Sequence, residues 1–236
     1  MLDRFLSKPA PRDGSENTIL MKLDDFDTRL RNTFFLQGIG LCSNIYAIGD
    51  SEITMIDTGS SLGTDRIEEF LGWSGLQFAN LKQVILTHNH FDHLGGLEEI
   101  LKKSKPRILA HPEDAKTLEL EGSCRIRRLG DGDVIVTALG PLRVIHTPGH
   151  TSGSICLYEE NVRLLFSGDT VFPDGWFGRT DMPTGNSRMM LDSLERLADL
   201  NVNILLAGHG NPLFQHAGKD IEKALNNAKI SLQKYS

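Results

Sequence analysis

Runs of apolar residues divide the chain into short strands and amphipathic helices. Val84-Ile85-Leu86 and Ile204-Leu205-Leu206 are unbroken apolar stretches of the length that suits a strand covered on both faces. Cys42 to Ile48 and Ile53 to Ile56 flank Gly49-Asp50, which predicts a hairpin closed by Asp57-Thr58-Gly59. Further strands are predicted over 107–110, 134–139, 142–147, 154–158 and 162–166. Helical spacing appears between them. Ile67, Phe70 and Leu71 share a face in a segment from Thr64 to Gly72, as do Leu97, Ile100 and Leu101. Met190, Leu191, Leu194, Leu197 and Ala198 form one stripe across 188–200, and a last helix is predicted over 221–232. Pro112 opens a helix running to Leu118. Strands interleaved with one-sided helices are accommodated most economically by an α/β fold with two sheets between helical layers. Residues 1–30 break the pattern with Pro9, Pro11 and Asp13-Gly14-Ser15 and predict an irregular lead-in, leaving 31–236 as one domain.

Composition narrows the function classes. With 236 residues, 39% of them hydrophobic and 24% charged, the chain can bury one sizeable core. A net charge of -6 disfavours nucleic acid as a partner by bulk electrostatics. Cys42, Cys124 and Cys156 are far apart and form no CxxC pair, which predicts buried free thiols. No stretch approaches the ~18 apolar residues of a membrane span. A soluble, cytoplasmic protein with no membrane partner is expected, its oligomeric state left open.

Chemistry concentrates just after the first apolar run, in Thr87-His88-Asn89-His90-Phe91-Asp92-His93-Leu94-Gly95-Gly96. Imidazole nitrogen and carboxylate oxygen are donors that zinc and similar divalent ions prefer, and a strand end delivers them with little slack. His88 and His90, two apart in extended chain, project to the same side, whereas the neighbours Asp92 and His93 diverge unless the backbone turns. One metal can take the first pair and another the second. Each sphere then needs more ligands. His150 in Pro148-Gly149-His150, Asp169 in Ser167-Gly168-Asp169 and His209 in Ala207-Gly208-His209 each follow a predicted strand and a glycine. Capping and core hydrogen bonding account for His111 and His146, and His216 falls on a loop.

This set resembles the metallo-β-lactamase superfamily, whose HxHxDH motif matches Thr87 to His93 and whose later His, Asp and His match 150, 169 and 209. The resemblance implies a four-layer αββα sandwich of two similar halves with the site along the edge where the sheets meet. It implies that His88, His90 and His150 hold one metal, that Asp92, His93 and His209 hold the other, and that Asp169 bridges them. Asp57, in the family's DTG turn, would order the ligand loops. Two divalent ions, zinc by preference with iron or manganese as alternatives, would lower the pKa of a bridging water from ~15.7 towards ~7, so that Asp92 and Asp169 serve catalysis through the metals. No GxSxG elbow offers a protein nucleophile instead.

Relatives are separated by single positions. Flavo-diiron oxygen reductases carry Glu where this chain has His90, and well-known zinc β-lactamases carry Cys where it has Asp169. Phe177-Gly178-Arg179-Thr180-Asp181 is similar to a stretch of the glyoxalase II-like hydrolases, which cleave S-acyl thiols, and of the persulfide dioxygenases. A thioester is a reasonable substrate because a thiol of pKa ~8.5 leaves without a strong general acid. One helix follows His209, where larger glyoxalase II enzymes add a helical domain that grips glutathione, so an open thioesterase site is expected, with Trp176 and Phe177 as pocket walls and Arg179 and Asp181 on the same loop. The expected function is binuclear metal-dependent hydrolysis of a thioester or similar small acyl substrate. Its alternatives are a hydrolase of lactones or phosphodiesters, a mononuclear iron persulfide dioxygenase using His88, His150 and Asp169, and, least favoured, a scaffold without activity.

Overall fold

The computed structural model describes residues 19–60, 64–118 and 126–234. Two mixed sheets form its centre. One holds seven strands in sequential order: β1 (Leu20–Lys22), β2 (Thr33–Leu36), β3 (Ile45–Ile48), β4 (Ile53–Ile56), β5 (Leu81–Ile85), β6 (Arg107–Ala110) and β7 (Ile126–Arg128). The other has β8 (Val134–Thr137), β9 (Gly140–His146), β10 (Ile155–Glu159), β11 (Leu164–Gly168) and β12 (Ile204–Ala207), ordered from β12 to β8. Helices α1 (Thr64–Trp73), α2 (Phe91–Leu94), α3 (Leu97–Lys103) and α4 (Pro112–Ala115) belong to the first half, α5 (Ser187–Ala198) and α6 (Ala217–Lys234) to the second.

Three apolar layers explain why the strand sequences read as continuous hydrophobic runs. Alternate residues of a strand face opposite sides, and here both sides are covered. Ile204 and Leu206 of β12 point into the core between the sheets, with Ile85, Phe166 and Leu157, while Leu205 and Ala207 point outward to Met190, Leu194 and Ile221 of α5 and α6. Val84 and Ile108 likewise face Ile67, Phe70 and Ile100 of α1 and α3. The result is helix, sheet, sheet, helix, the four-layer αββα sandwich.

The two halves share a motif that fixes where the chemistry falls. In each, an antiparallel pair (β3 with β4, β10 with β11) is followed by a helix (α1, α5) and a strand parallel to the last (β5, β12). Parallel neighbours end at the same side of a sheet, and in open α/β sheets ligands bind beyond those carboxyl ends. Asp57, His88, Asp169 and His209 follow β4, β5, β11 and β12 within three residues of each strand's end.

Three strands lie outside the sequence expectations, one of them within the segment expected as lead-in. β2 is buried along its whole length, yet its four residues follow the charged Arg29-Leu30-Arg31-Asn32 with no glycine or proline to mark a boundary. β7 is a short edge strand rich in arginine, a composition that guards an edge and hides it from hydrophobic pattern. Within residues 19–30, β1 pairs with β2, and Leu23 and Leu30 are fully buried between the sheets, so that segment is part of the domain. Residues 1–18 and Cys124 lie outside the described residues. Cys156 is buried as expected, Cys42 only partly. The helix expected over 112–118 ends at Ala115. Among the described residues no helix is long and apolar enough to cross a membrane.

Candidate metal centre

Local backbone chemistry folds the histidine-rich stretch into place. Asp57, with a left-handed backbone (φ 56°) after β4, accepts the Thr87 amide at 2.8 Å and the Thr87 hydroxyl at 2.7 Å. That pair of bonds anchors the chain as it leaves β5. His90 then precedes the single turn of α2, in which the His93 amide donates to the His90 carbonyl. This turn resolves the divergence expected of the neighbours Asp92 and His93, since both now face His209: their carboxylate and imidazole lie 3.1 and 3.4 Å from His209 Nε2. A strap across residues 38–44 holds the far side. The Ser43 amide donates to the Asp92 carbonyl, the Asn44 amide to the Gly208 carbonyl, and the Asn44 side chain to the carbonyls of Ala207 and Gly210.

Seven side chains converge. His88, His90 and His150 form one cluster and Asp92, His93 and His209 another, the candidate donor atoms of each cluster lying within 4.8 Å of one another. His90 Nδ1 and His150 Nε2 approach to 2.9 Å. Asp169 stands between the clusters: Oδ1 is 3.2 Å from His93 Nε2, while Oδ2 is 3.4 Å from His150 Nε2 and 3.5 Å from His209 Nε2. It also groups with His88 and His93.

Whether these residues suit a metal is tested by what their buried atoms lack. His88 Nε2 is buried and makes no hydrogen bond, and the buried Asp169 Oδ1 makes none of good geometry, its one near partner being His93 Nε2 at 3.2 Å. Orphaned polar atoms of that kind are costly unless something else satisfies them. Protonation states point the same way. Burial, and then the neighbouring His93, hold the His88 imidazole well below its ordinary pKa, and burial with His150 lowers His90. Burial alone would raise the Asp169 carboxyl, but His93, His88 and His209 outweigh it and keep it below the carboxylate range. Asp92 is lowered too, His209 and His93 outweighing burial. Neutral imidazole beside ionised carboxylate is the donor set divalent metals bind. His93 differs: burial would lower it, but Asp169 and Asp57 raise it well above the ordinary value.

Asp57 is the support for that histidine. Its Oδ2 lies 2.8 Å from His93 Nδ1, which turns Nε2 toward the cluster. Asp57→Ala leaves the Thr87 amide and His93 Nδ1 without a partner in a buried place, and the Thr87 hydroxyl with only His88 Nδ1 at 3.2 Å. Each unpartnered group costs about 1–3 kcal/mol, so a total loss on the order of 2 kcal/mol or more is expected in urea unfolding of the metal-free protein. A loss below about 1 kcal/mol would show that these bonds are not what holds the loop.

Other expected site residues fall differently. Arg179 and Asp181 pair with each other at the surface through two bonds of 3.0 and 2.8 Å. Arg179 reaches the site by its backbone, its carbonyl 2.7 Å from His150 Nδ1. Of the expected pocket walls, Phe177 packs onto the outer core of the β8–β12 sheet and Trp176 is 70% exposed. The cleft beside the histidines, about 500 Å³, is lined by residues including His90, Phe91, Leu118, Met182 and Thr184. His111 accepts the Glu113 amide at the start of α4 and stacks on His146, as the capping and core readings require. Asp114 and Asn44 were not singled out by sequence, because a lone acid in a first helical turn and an amide in a loop carry no pattern of their own.

A family description, the metallo-beta-lactamase superfamily, matches residues 39–209. A probable metallo-hydrolase of Bacillus subtilis, YqgX, is 32% identical over 70% of this chain and 83% of its own length. A human acyl-coenzyme A thioesterase, MBLAC2, is 30% identical over 80% of this chain and 82% of its own. The hydroxyacylglutathione hydrolase GloC of Haemophilus influenzae is 30% identical over 56% of this chain and 70% of its own. With the αββα layers, the paired ligand clusters at the strand ends and this match in hand, the chain belongs to the metallo-beta-lactamase superfamily.

Proposed function

We propose that this metal-dependent hydrolase cleaves thioesters or closely similar small acyl bonds. The observation that carries the reading is the place of Asp169, a buried carboxylate facing a three-histidine cluster on one side and an Asp-His-His cluster on the other. His88, His90 and His150 would hold one ion, Asp92, His93 and His209 a second, and Asp169 would touch both. Once bound, such a pair supplies an activated water at neutral pH and a Lewis acid for a substrate carbonyl. The protein's own part is to fix the donors. Asp57 orients His93, the Arg179 carbonyl orients His150, and Asn44 ties Gly208 beside Asp169.

Leaving-group chemistry favours a thioester. The described walls of the cleft carry no carboxyl group to protonate a poor leaving group, and a thiolate of pKa ~8.5 departs without one. The human relative's description as an acyl-coenzyme A thioesterase and the GloC relative's as a hydroxyacylglutathione hydrolase support the same bond type. The complete Asp92, His93 and His209 cluster weighs against the mononuclear iron alternative.

Elemental mass spectrometry on untagged protein purified without added metal, followed by a panel of acyl thioesters, is the test. About two zinc ions per chain and release of free thiol are expected. A two-metal protein that leaves every thioester intact while opening lactones or phosphodiesters would overturn the thioester reading. About one iron per chain with oxygen uptake on a persulfide would replace it with the dioxygenase.

A further inference from the structure

Asp114 is one of the most buried carboxylates of the chain, 2% exposed, and lies outside both ligand clusters. It sits in the single turn of α4, just beyond the end of β6. A single oxygen, Oδ2, accepts two hydrogen bonds from opposite halves of the molecule. The Asn89 amide donates at 3.0 Å, and Asn89 is the residue between His88 and His90. The Thr151 hydroxyl donates at 2.7 Å, and Thr151 is the residue after His150. Oδ1 rests against the Gly153 backbone without a hydrogen bond, in a space so tight that a Cβ at Gly153 would come within 2.4 Å of it. A second link, from the Ile155 amide to the Thr87 carbonyl, joins the same two loops. Thr151 is further held by Ser154, through its amide at 3.1 Å and its hydroxyl at 2.8 Å.

The two clusters thus lean unequally on two carboxylates. Asp57 touches His93, a member of the Asp92, His93 and His209 cluster, and holds Thr87 just before His88, whereas of the two only Asp114 joins the two loops that carry His88, His90 and His150. We propose that Asp114 is the positioning residue of the three-histidine cluster, setting its metal affinity separately from that of the other cluster by tying the His88–His90 loop to the His150 loop. The inference rests on the reading of these clusters as metal sites. A carboxylate accepting from a main-chain amide and a hydroxyl is a strong, directional tie, and supports of this kind alter metal affinity about 10–100-fold when removed. Asparagine at 114 retains one acceptor oxygen and should restore much of what alanine loses.

Equilibrium titration with zinc ion against a competing chelator tests this on the whole chain, with circular dichroism to confirm folding. Asp114→Ala is expected to weaken one of two zinc sites by about 10–100-fold while the other keeps its affinity, and Asp114→Asn to lie between the two. Thr151→Val removes one of the two bonds with little change of volume, and is expected to weaken the same site by a smaller factor if alanine at 114 disturbs folding. Asp57→Asn is expected to weaken the Asp92, His93 and His209 site more than the three-histidine site, since Asp57 touches His93 directly and the His88 stretch only through Thr87. Folded Asp114→Ala and Thr151→Val proteins that bind two zinc ions as tightly as the parent, or that lose both sites equally, would overturn the inference. A parent chain that binds no zinc at either site would overturn the metal reading and the inference with it, whereas a parent that binds two and cleaves no thioester leaves the inference standing and removes only the thioester.

Discussion

Replacing Asp169 with alanine is expected to lower turnover by on the order of 10³-fold or more while leaving the folded layers intact. The carboxylate is buried to 8% exposure at the end of β11 and is the group whose oxygens reach toward His93 on one side and His150 and His209 on the other. Its removal takes the shared anion from between the clusters, and no described carboxylate takes its place there, Asp92 lying on the His209 side. The core beneath is unaffected, because Leu164, Leu165 and Phe166 of the same strand are held by the apolar layers on both faces of their sheet. Asp169→Asn separates shape from charge: the amide fills the same space but loses the negative charge that faces the imidazoles. Turnover of a thioester, metal content and far-ultraviolet circular dichroism on the parent and both variants check the expectation. An alanine variant with parental turnover would exclude a bridging role for Asp169.

The ligand set was legible in the sequence because its signal is chemical. Histidine and aspartate placed directly after apolar strands are rare unless something binds there, and the glycines before His150, Asp169 and His209 repeat the pattern at three strand ends. The layers were legible for a related reason, since apolar stripes at periods of two and 3.6 record which face is buried. What stayed hidden depends on distance in space. Asp114 sits where acidic residues are favoured by the helix dipole anyway, so nothing in its neighbourhood marks a side chain that reaches across to Asn89 and Thr151. Phe177 and Met182 are both apolar and both near the site in sequence, yet one packs inward and the other lines the cleft, a choice made by the β-bridge of Val171 with Phe177. Arg179 is placed by sequence only on the loop it shares with Asp181, and its carbonyl oxygen, which no side-chain pattern marks, is what reaches His150. β2 and β7 were missed because short strands with charged flanks are recognised by their pairing partners, not by their own composition.

Gly208→Ala is expected to cost catalysis on the order of 10²-fold through one methyl group, since displacing a reacting constellation by about 1 Å has that effect. Gly208 lies between the end of β12 and His209, its amide donating to the Gly168 carbonyl and its carbonyl accepting from the Asn44 amide. Both bonds fix the backbone, so an added side chain cannot swing away. A Cβ there would stand 2.2 Å from Asp169 Oδ1 and 2.7 Å from His93 Cε1, contacts that one or both donors must yield to. Gly210, two residues on, is the control. Its φ of +84° strains any L side chain, but a Cβ there meets nothing closer than Pro173 at 3.8 Å. Gly210→Ala should therefore lose about 1–2 kcal/mol of stability from backbone strain with the metal content kept, and Gly208→Ala should lose metal content and kcat/KM out of proportion to its stability. Measuring metal content, kcat/KM and urea unfolding on both variants separates the two causes. If Gly208→Ala retained its metals and its kcat/KM, the space between β12 and Asp169 would be looser than these distances require, and the glycine would owe its place to the backbone alone.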